Sequence, residues 1–185
     1  ALAACVGEFM QMPFNPCFQF VDLYLNGRYD GNYQLTDQME VHKGRIEIAH
    51  QDTIVTDPTT DISGGYFLEP EGNTASDGLY FMSNQGCHIR IHDPKPDVIN
   101  KRQLSYIKAY INKFETALYG EDFSHEKRGY RQYTDTTSLI DWYLVQEISA
   151  NADGFWCSYI YKDRASELIH FGPIWDFDIC WNNCS

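Results

Sequence analysis

With 185 residues, 43% of them hydrophobic and 15% aromatic, the chain can bury the core of one ordinary domain, which excludes bulk disorder. Fourteen basic residues against 26 acidic ones give a formal charge of −12, and no basic run is visible, which weighs against nucleic acid and anionic membrane as partners. No apolar stretch approaches the roughly 20 residues of a membrane span.

Residues 1–12 follow a helical pattern that ends before Pro13. The stretch has no charged start and so does not read as a signal peptide; opening without Met inside an apolar pattern, the chain reads as a piece of a longer protein. Phe20, Asp22 and Tyr24 then alternate with Val21, Leu23 and Leu25, the period of a strand. Asn26-Gly27 marks a hairpin, Asp30-Gly31 a longer turn or bulge, and Tyr33 and Leu35 resume the alternation. KGRIEIAH (43–50) predicts another strand, and the polar residues 51–63 a loop. Further strands are predicted in GGYFLEPEG (64–72), GLYFMSN (78–84) and CHIRIHD (87–93). Leu104, Ile107, Ile111, Phe114 and Leu118 repeat at helical spacing, with Gly120 where a C-terminal cap belongs. A second helix covers about 136–150. After Asn151-Ala152-Asp153 come a strand in CSYIYKD (157–163), a turn, and a strand in LIHFGPIWDFD (168–178). Strands, then helices, then a late hairpin predict an α+β fold in one domain, strand-rich over 1–92 and helical over 93–185.

That hairpin carries the chemistry. Asp153 precedes its first strand and Asp176 follows its second, so pairing of the strands brings both to its open end. Carboxylates converging there, with Asn151 nearby, suit a hard divalent cation such as Mg²⁺ that also holds a substrate phosphate. The competing explanation is that Asp176 and Asp178 are turn and capping residues of an acidic protein. Six cysteines (Cys5, Cys17, Cys87, Cys157, Cys180, Cys184) form no CxxC pair, so structural zinc is not expected, while disulfides and buried thiols both stay open. His88 and His92, on a predicted strand, are not expected to form a metal pair. No GxSxG motif supports serine hydrolase chemistry.

FVDLYLNGRYDGNYQLTDQ, GGYFLE, DWYLVQEISANADGFWCSYIYKD and GPIWDFD occur here in an order that resembles the CotH kinase family, named for a spore coat protein. The resemblance covers nearly the whole chain and is most specific from Trp142 to Asp178. It implies an atypical protein kinase-like fold, a strand-rich lobe covering ATP above a helical lobe, with the late hairpin carrying a metal site. It further implies Asp153 as the catalytic aspartate, Asp176 as the metal aspartate with Asp178 in support, and Mg²⁺ (or Mn²⁺) with ATP as cofactors. Phe67, Leu68 and Glu69 of GGYFLE are the implied hinge that meets adenine. The implied partners are ATP and a secreted or surface protein phosphorylated on Ser or Thr, with this chain extracellular or at the cell surface. Oligomeric state is not legible.

The chain departs from the pattern. Asp37, implied in nucleotide binding, stands where the family has Glu. Ser158, an implied metal ligand, stands where ordinary kinases have Asn, and Asn182 replaces a glycine. No upstream strand supplies the phosphate-binding lysine, and Lys43 reads as a surface turn residue. These departures leave two alternatives open: a catalytically inactive kinase-like structural or adhesion module, and a glycosyltransferase using Asp176-x-Asp178. The absence of a βαβ pattern argues against the second.

Overall fold

The computed structural model describes residues 2–51, 53–71 and 78–183, so Cys184 and the end of the strand predicted at 64–72 lie outside the described residues. Helix α1 (Leu2–Phe9) precedes a hairpin of β1 (Phe18–Leu25) and β2 (Arg28–Thr36). Asn26 (φ 51°) and Gly27 (φ 79°) take the left-handed conformations that a tight hairpin turn requires. The register slips between Leu23 and Tyr24, opposite Gly31 and Tyr29, which leaves Asp30 as the bulge residue. The hairpin strands pair with each other and lie outside the main sheet, leaving Phe20, Tyr24, Leu25 and Leu35 exposed.

The main sheet contains β3 (Tyr66–Glu71), β4 (Leu79–Met82), β5 (His88–Asp93), β6 (Ile160–Lys162) and β7 (Ile169–Phe171) in the order β4-β5-β3-β6-β7. Every pairing is antiparallel. The late hairpin therefore adds to the early strands through β3, and residues from both sides of position 93 share one sheet.

Helix α2 (Lys101–Tyr119) covers one face of this sheet. Asn100 caps it, with its side chain bonded to the Gln103 amide and the Gln103 side chain bonded back to the Asn100 amide. Ile107, Tyr110 and Ile111 pack onto Tyr66, Leu68, Ile91, Ile160 and Ile169. Ile107 and Ile111 alone contribute about 3–6 kcal/mol of burial free energy. On the other face, Phe67 and Tyr159 pack against Val41 and Ile46. A third cluster joins Ala3 and Met12 to Trp142 and Val145 of α3 (Thr136–Ser149) and to Ile174. Gly7 permits that approach, because a Cβ there would sit 2.9 Å from the Ile174 side chain.

Residues 43–50 do not form the predicted strand. Gly44 (φ 79°) turns the chain, and Ile46 makes only an isolated bridge to Val41. The alternation of Ile46 and Ile48 comes from a loop laying apolar side chains on the sheet. The described chain is thus α+β, with two antiparallel sheets and three α-helices among its described residues.

Candidate functional site

Helix α3 sets the first half of the site. Its N-cap Asp135 accepts from the Ser138 amide at 2.7 Å. At its other end Ala150 turns left-handed (φ 54°), and the amides of Ala150 and Asn151 return to carbonyls of the last turn. The reversal buries Asn151 completely. Its Nδ2 donates to Gln146 Oε1 at 3.0 Å and to the carbonyl of Asp176 at 3.1 Å, tying the helix end to the C-terminal segment. Its Oδ1 is buried without a partner among the described residues. Asp153 follows on the surface, opening a 3₁₀ turn that runs to Phe155. Gly154 is buried against the Gln146 amide, where a side chain would not fit.

The second half lies beyond β7. Ile160 pairs with Phe171, and the Gly172 amide donates to the Tyr159 carbonyl at 2.8 Å, so the chain entering β6 and the chain leaving β7 run together. Ile174 is buried, Trp175 and Phe177 are half-buried, and Asp176 and Asp178, each following one of these rings, are exposed. Asp176 holds a left-handed backbone (φ 55°), which costs a residue with a Cβ about 1 kcal/mol or more and is concentrated at functional sites. Desolvation raises its carboxyl above the ordinary carboxylate value, and the charges of Asp178 and Asp153 raise it further. The charges of Asp178 and Asp153 thus both reach the Asp176 carboxyl. Ile174, Trp175 and Phe177 back this group.

Asp176 and Asp178 open onto a cavity of about 630 Å³, large enough for a small organic ligand. Asp37, Gln38 and Met39 after the β1–β2 hairpin, His92 of β5, Tyr159 and Trp175 form other parts of its wall. No Lys or Arg is among the lining residues. Asp37 reaches the cavity but is already engaged: its Oδ2 accepts from the Cys17 amide at 2.9 Å, and Arg45 lies 3.9 Å from its Oδ1. The shorter side chain closes the base of the hairpin. Lys43 is exposed in the turn at Gly44.

Other expected site residues lie elsewhere. Ser158 is buried, its hydroxyl donates to the Gly154 carbonyl, and it does not line the cavity; it supports the Asp153 turn. Phe67, Leu68 and Glu69 do not offer a free hinge backbone, because β3 is the central strand. Phe67 and Leu68 pair with β5 on one side and β6 on the other, and Glu69 pairs with Arg90. The Glu69 side chain instead approaches the cavity indirectly, through a 2.7 Å contact with His92. His92 is the residue that sequence reasoning missed. Strand alternation in CHIRIHD would group His92 with His88 and Arg90, but its place at the cavity follows from the register slip against β3, which has no signal in the sequence.

Among the described residues, no group of three or more His, Cys, Asp or Glu side chains is placed to hold a metal ion by itself. Mg²⁺ does not require one, since it binds through one or two carboxylates plus substrate phosphates and water. Asp176 and Asp178 fit that demand, because a cation would relieve the repulsion by Asp178 that adds to burial in raising the Asp176 carboxyl. Cys5, Cys17, Cys87 and Cys180 carry free thiols. No described helix is long and apolar enough to cross a membrane.

No curated protein and no solved structure matches the chain. The family description "CotH kinase protein" matches residues 9–185, a span that includes the late hairpin and all three aspartates and leaves out Ala3 and Ala4 of the cavity wall. This chain belongs to the CotH kinase family, a spore coat family of atypical kinase-like proteins.

Proposed function

We propose that the chain is a protein kinase of atypical fold that transfers the γ-phosphate of ATP to Ser or Thr hydroxyls of secreted or surface proteins. What supports this reading is that Asp176 and Asp178, just past β7, line a ligand-sized cavity, while the charge of Asp153, on the turn before β6, reaches Asp176. Phosphoryl transfer asks the protein for positioning and charge neutralisation more than for covalent chemistry. Asp176 and Asp178 would hold Mg²⁺ or Mn²⁺, which would supply charge neutralisation for the phosphoryl group. Asp153 sits on the rigid turn leaving α3, accepts a hydrogen bond from the substrate hydroxyl and takes its proton during transfer. Asn151 fixes the distance between the two halves, since one amide group bonds the α3 end and the Asp176 carbonyl. In this division residues 1–92 cover the nucleotide and residues 93–185 carry the catalytic turn, with the protein extracellular or on the cell surface.

A non-catalytic structural or adhesion module is favoured by one observation: Asp37 and Ser158 are satisfied within the chain, and no Lys or Arg lines the cavity. Thermal unfolding separates the two. ATP with Mg²⁺ raises the melting temperature of the kinase, and Asp176→Ala removes the rise; no rise with the intact protein favours the module. Labelled phosphate transfer to protein, lost in Asp153→Ala, distinguishes catalysis from nucleotide binding. A rise with a nucleotide sugar and not with ATP points to a glycosyltransferase.

A further inference from the structure

We propose that the Glu69–His92 pair selects the base at the nucleoside end of this cavity, with His92 Nδ1 accepting a hydrogen bond from the exocyclic amine of adenine. This rests on the ATP-dependent function above and assigns the end of the ligand opposite the aspartates.

The placement begins with register. Phe67 pairs with Asp93 and Leu68 with Ile91, so β5 carries one extra residue, and that residue is His92. A bulge releases a residue from the ladder and re-aims its side chain, which explains how a residue of an interior strand comes to line a cavity.

The ring's chemistry follows from its partner. Glu69 is 6% exposed, and its carboxylate lies 2.7 Å from His92 Nε2. A carboxylate only accepts, so Nε2 carries the proton and donates. The other nitrogen, Nδ1, has no hydrogen-bond partner among the described residues and is not among the buried orphaned atoms, so it is open. With Nε2–H fixed on Glu69, the ring in its neutral form presents the Nδ1 lone pair in a fixed direction, the complement of an amino group.

The surroundings suit a flat heterocycle. Phe67 and Tyr159 lie 5.3 and 5.4 Å from the His92 ring, and Trp175 lies 5.0 Å from Tyr159. These aromatic contacts run from His92 to the residue before Asp176. After burial, which dominates, the charges of Glu69 and Asp176 both help hold the Tyr159 hydroxyl above its ordinary value, so Tyr159 stands between the two ends. A nucleotide with its phosphates at the metal carboxylates extends its base along this wall toward His92.

A residue that merely braces the bulge would not distinguish one base from another, so the test is base discrimination. Binding of Mg–ATP and Mg–ITP is measured by calorimetry at pH 8, where an ordinary histidine is neutral. Inosine replaces the exocyclic amine with a carbonyl that repels the Nδ1 lone pair. The wild-type chain should bind ATP about tenfold more tightly than ITP, equivalent to 1.4 kcal/mol. His92→Phe keeps the ring packing and removes Nδ1, and should lower ATP affinity to the ITP level; His92→Ala should do the same. Discrimination that survives in either folded variant, or a wild-type ratio near one, overturns the assignment and leaves the kinase function standing. Failure of the wild-type chain to bind either nucleotide overturns both.

Discussion

Gly154→Ala tests whether the two halves of the site are one mechanical unit. A Cβ at this position would lie 2.2 Å from Gln146 Oε1 and 2.4 Å from its Cδ. Ordinary contact begins near about 3.5 Å, so the Gln146 amide must move by about 1 Å or more. Gln146 is 2% exposed, and its Oε1 accepts from Asn151 Nδ2, the same group that holds the Asp176 carbonyl. Overpacking of this kind costs about 1–3 kcal/mol, and a displaced buried hydrogen bond adds about 1–3 kcal/mol. A total of about 2–6 kcal/mol lowers the melting temperature of a chain this size by roughly 4–24 °C. The assay is chemical and thermal unfolding of Gly154→Ala, Gln146→Ala and the double variant. Removing the Gln146 side chain removes the clash, so the glycine substitution should cost at least about 1 kcal/mol less in that background. Additive effects, or a single variant within about 0.5 kcal/mol of wild type, would refute the proposed linkage.

Ile107→Ala, at a fully buried position facing β3, should cost about 2–5 kcal/mol in urea unfolding. Asp135→Ala removes the N-cap bond of α3 and should cost about 1 kcal/mol, with loss of helical signal on heating. Because the folded-state carboxyl of Asp176 is raised, the native chain holds its proton to higher pH than the unfolded chain does. Its contribution is therefore fully present below the unfolded value of about 3.9 and lost as pH rises through the raised value; Asp176→Asn should flatten that part of a stability–pH profile while removing stabilisation by Mg–ATP.

What local chemistry dictates was legible in the sequence. Asn26-Gly27 makes the hairpin and Asp30 its bulge because turn residues act through their own φ angles. Helix α2 was legible because burial at Ile107 and Ile111 imposes a helical period on the chain. Residues 43–50 misled because a strand and a loop draped over a core both alternate apolar side chains, and only pairing tells them apart. The backbone of Phe67, Leu68 and Glu69, where a hinge was expected, is paired for a non-local reason. Whether a backbone is free depends on how many neighbours its strand has, and β3 acquires its second neighbour from residues nearly a hundred positions later.

The same distinction separates the site residues. Asp37 was expected to depart from the family pattern and Ser158 from that of ordinary kinases, and each is satisfied locally, by the Cys17 amide and the Gly154 carbonyl. Their identities follow from structural need in this chain. Asp176 shows the reverse. It adopts a backbone conformation that disfavours a Cβ, faces two like charges, and lies in a segment held by a buried asparagine that leaves its own Oδ1 unsatisfied. Glycine would relieve the backbone, and an amide the charge. Local rules broken together at one position, without compensation inside the chain, mark a site whose compensation arrives from outside. A cation between Asp176 and Asp178 would relieve the charge, which is why these aspartates weigh more toward the proposed kinase than Asp37 and Ser158 weigh against it.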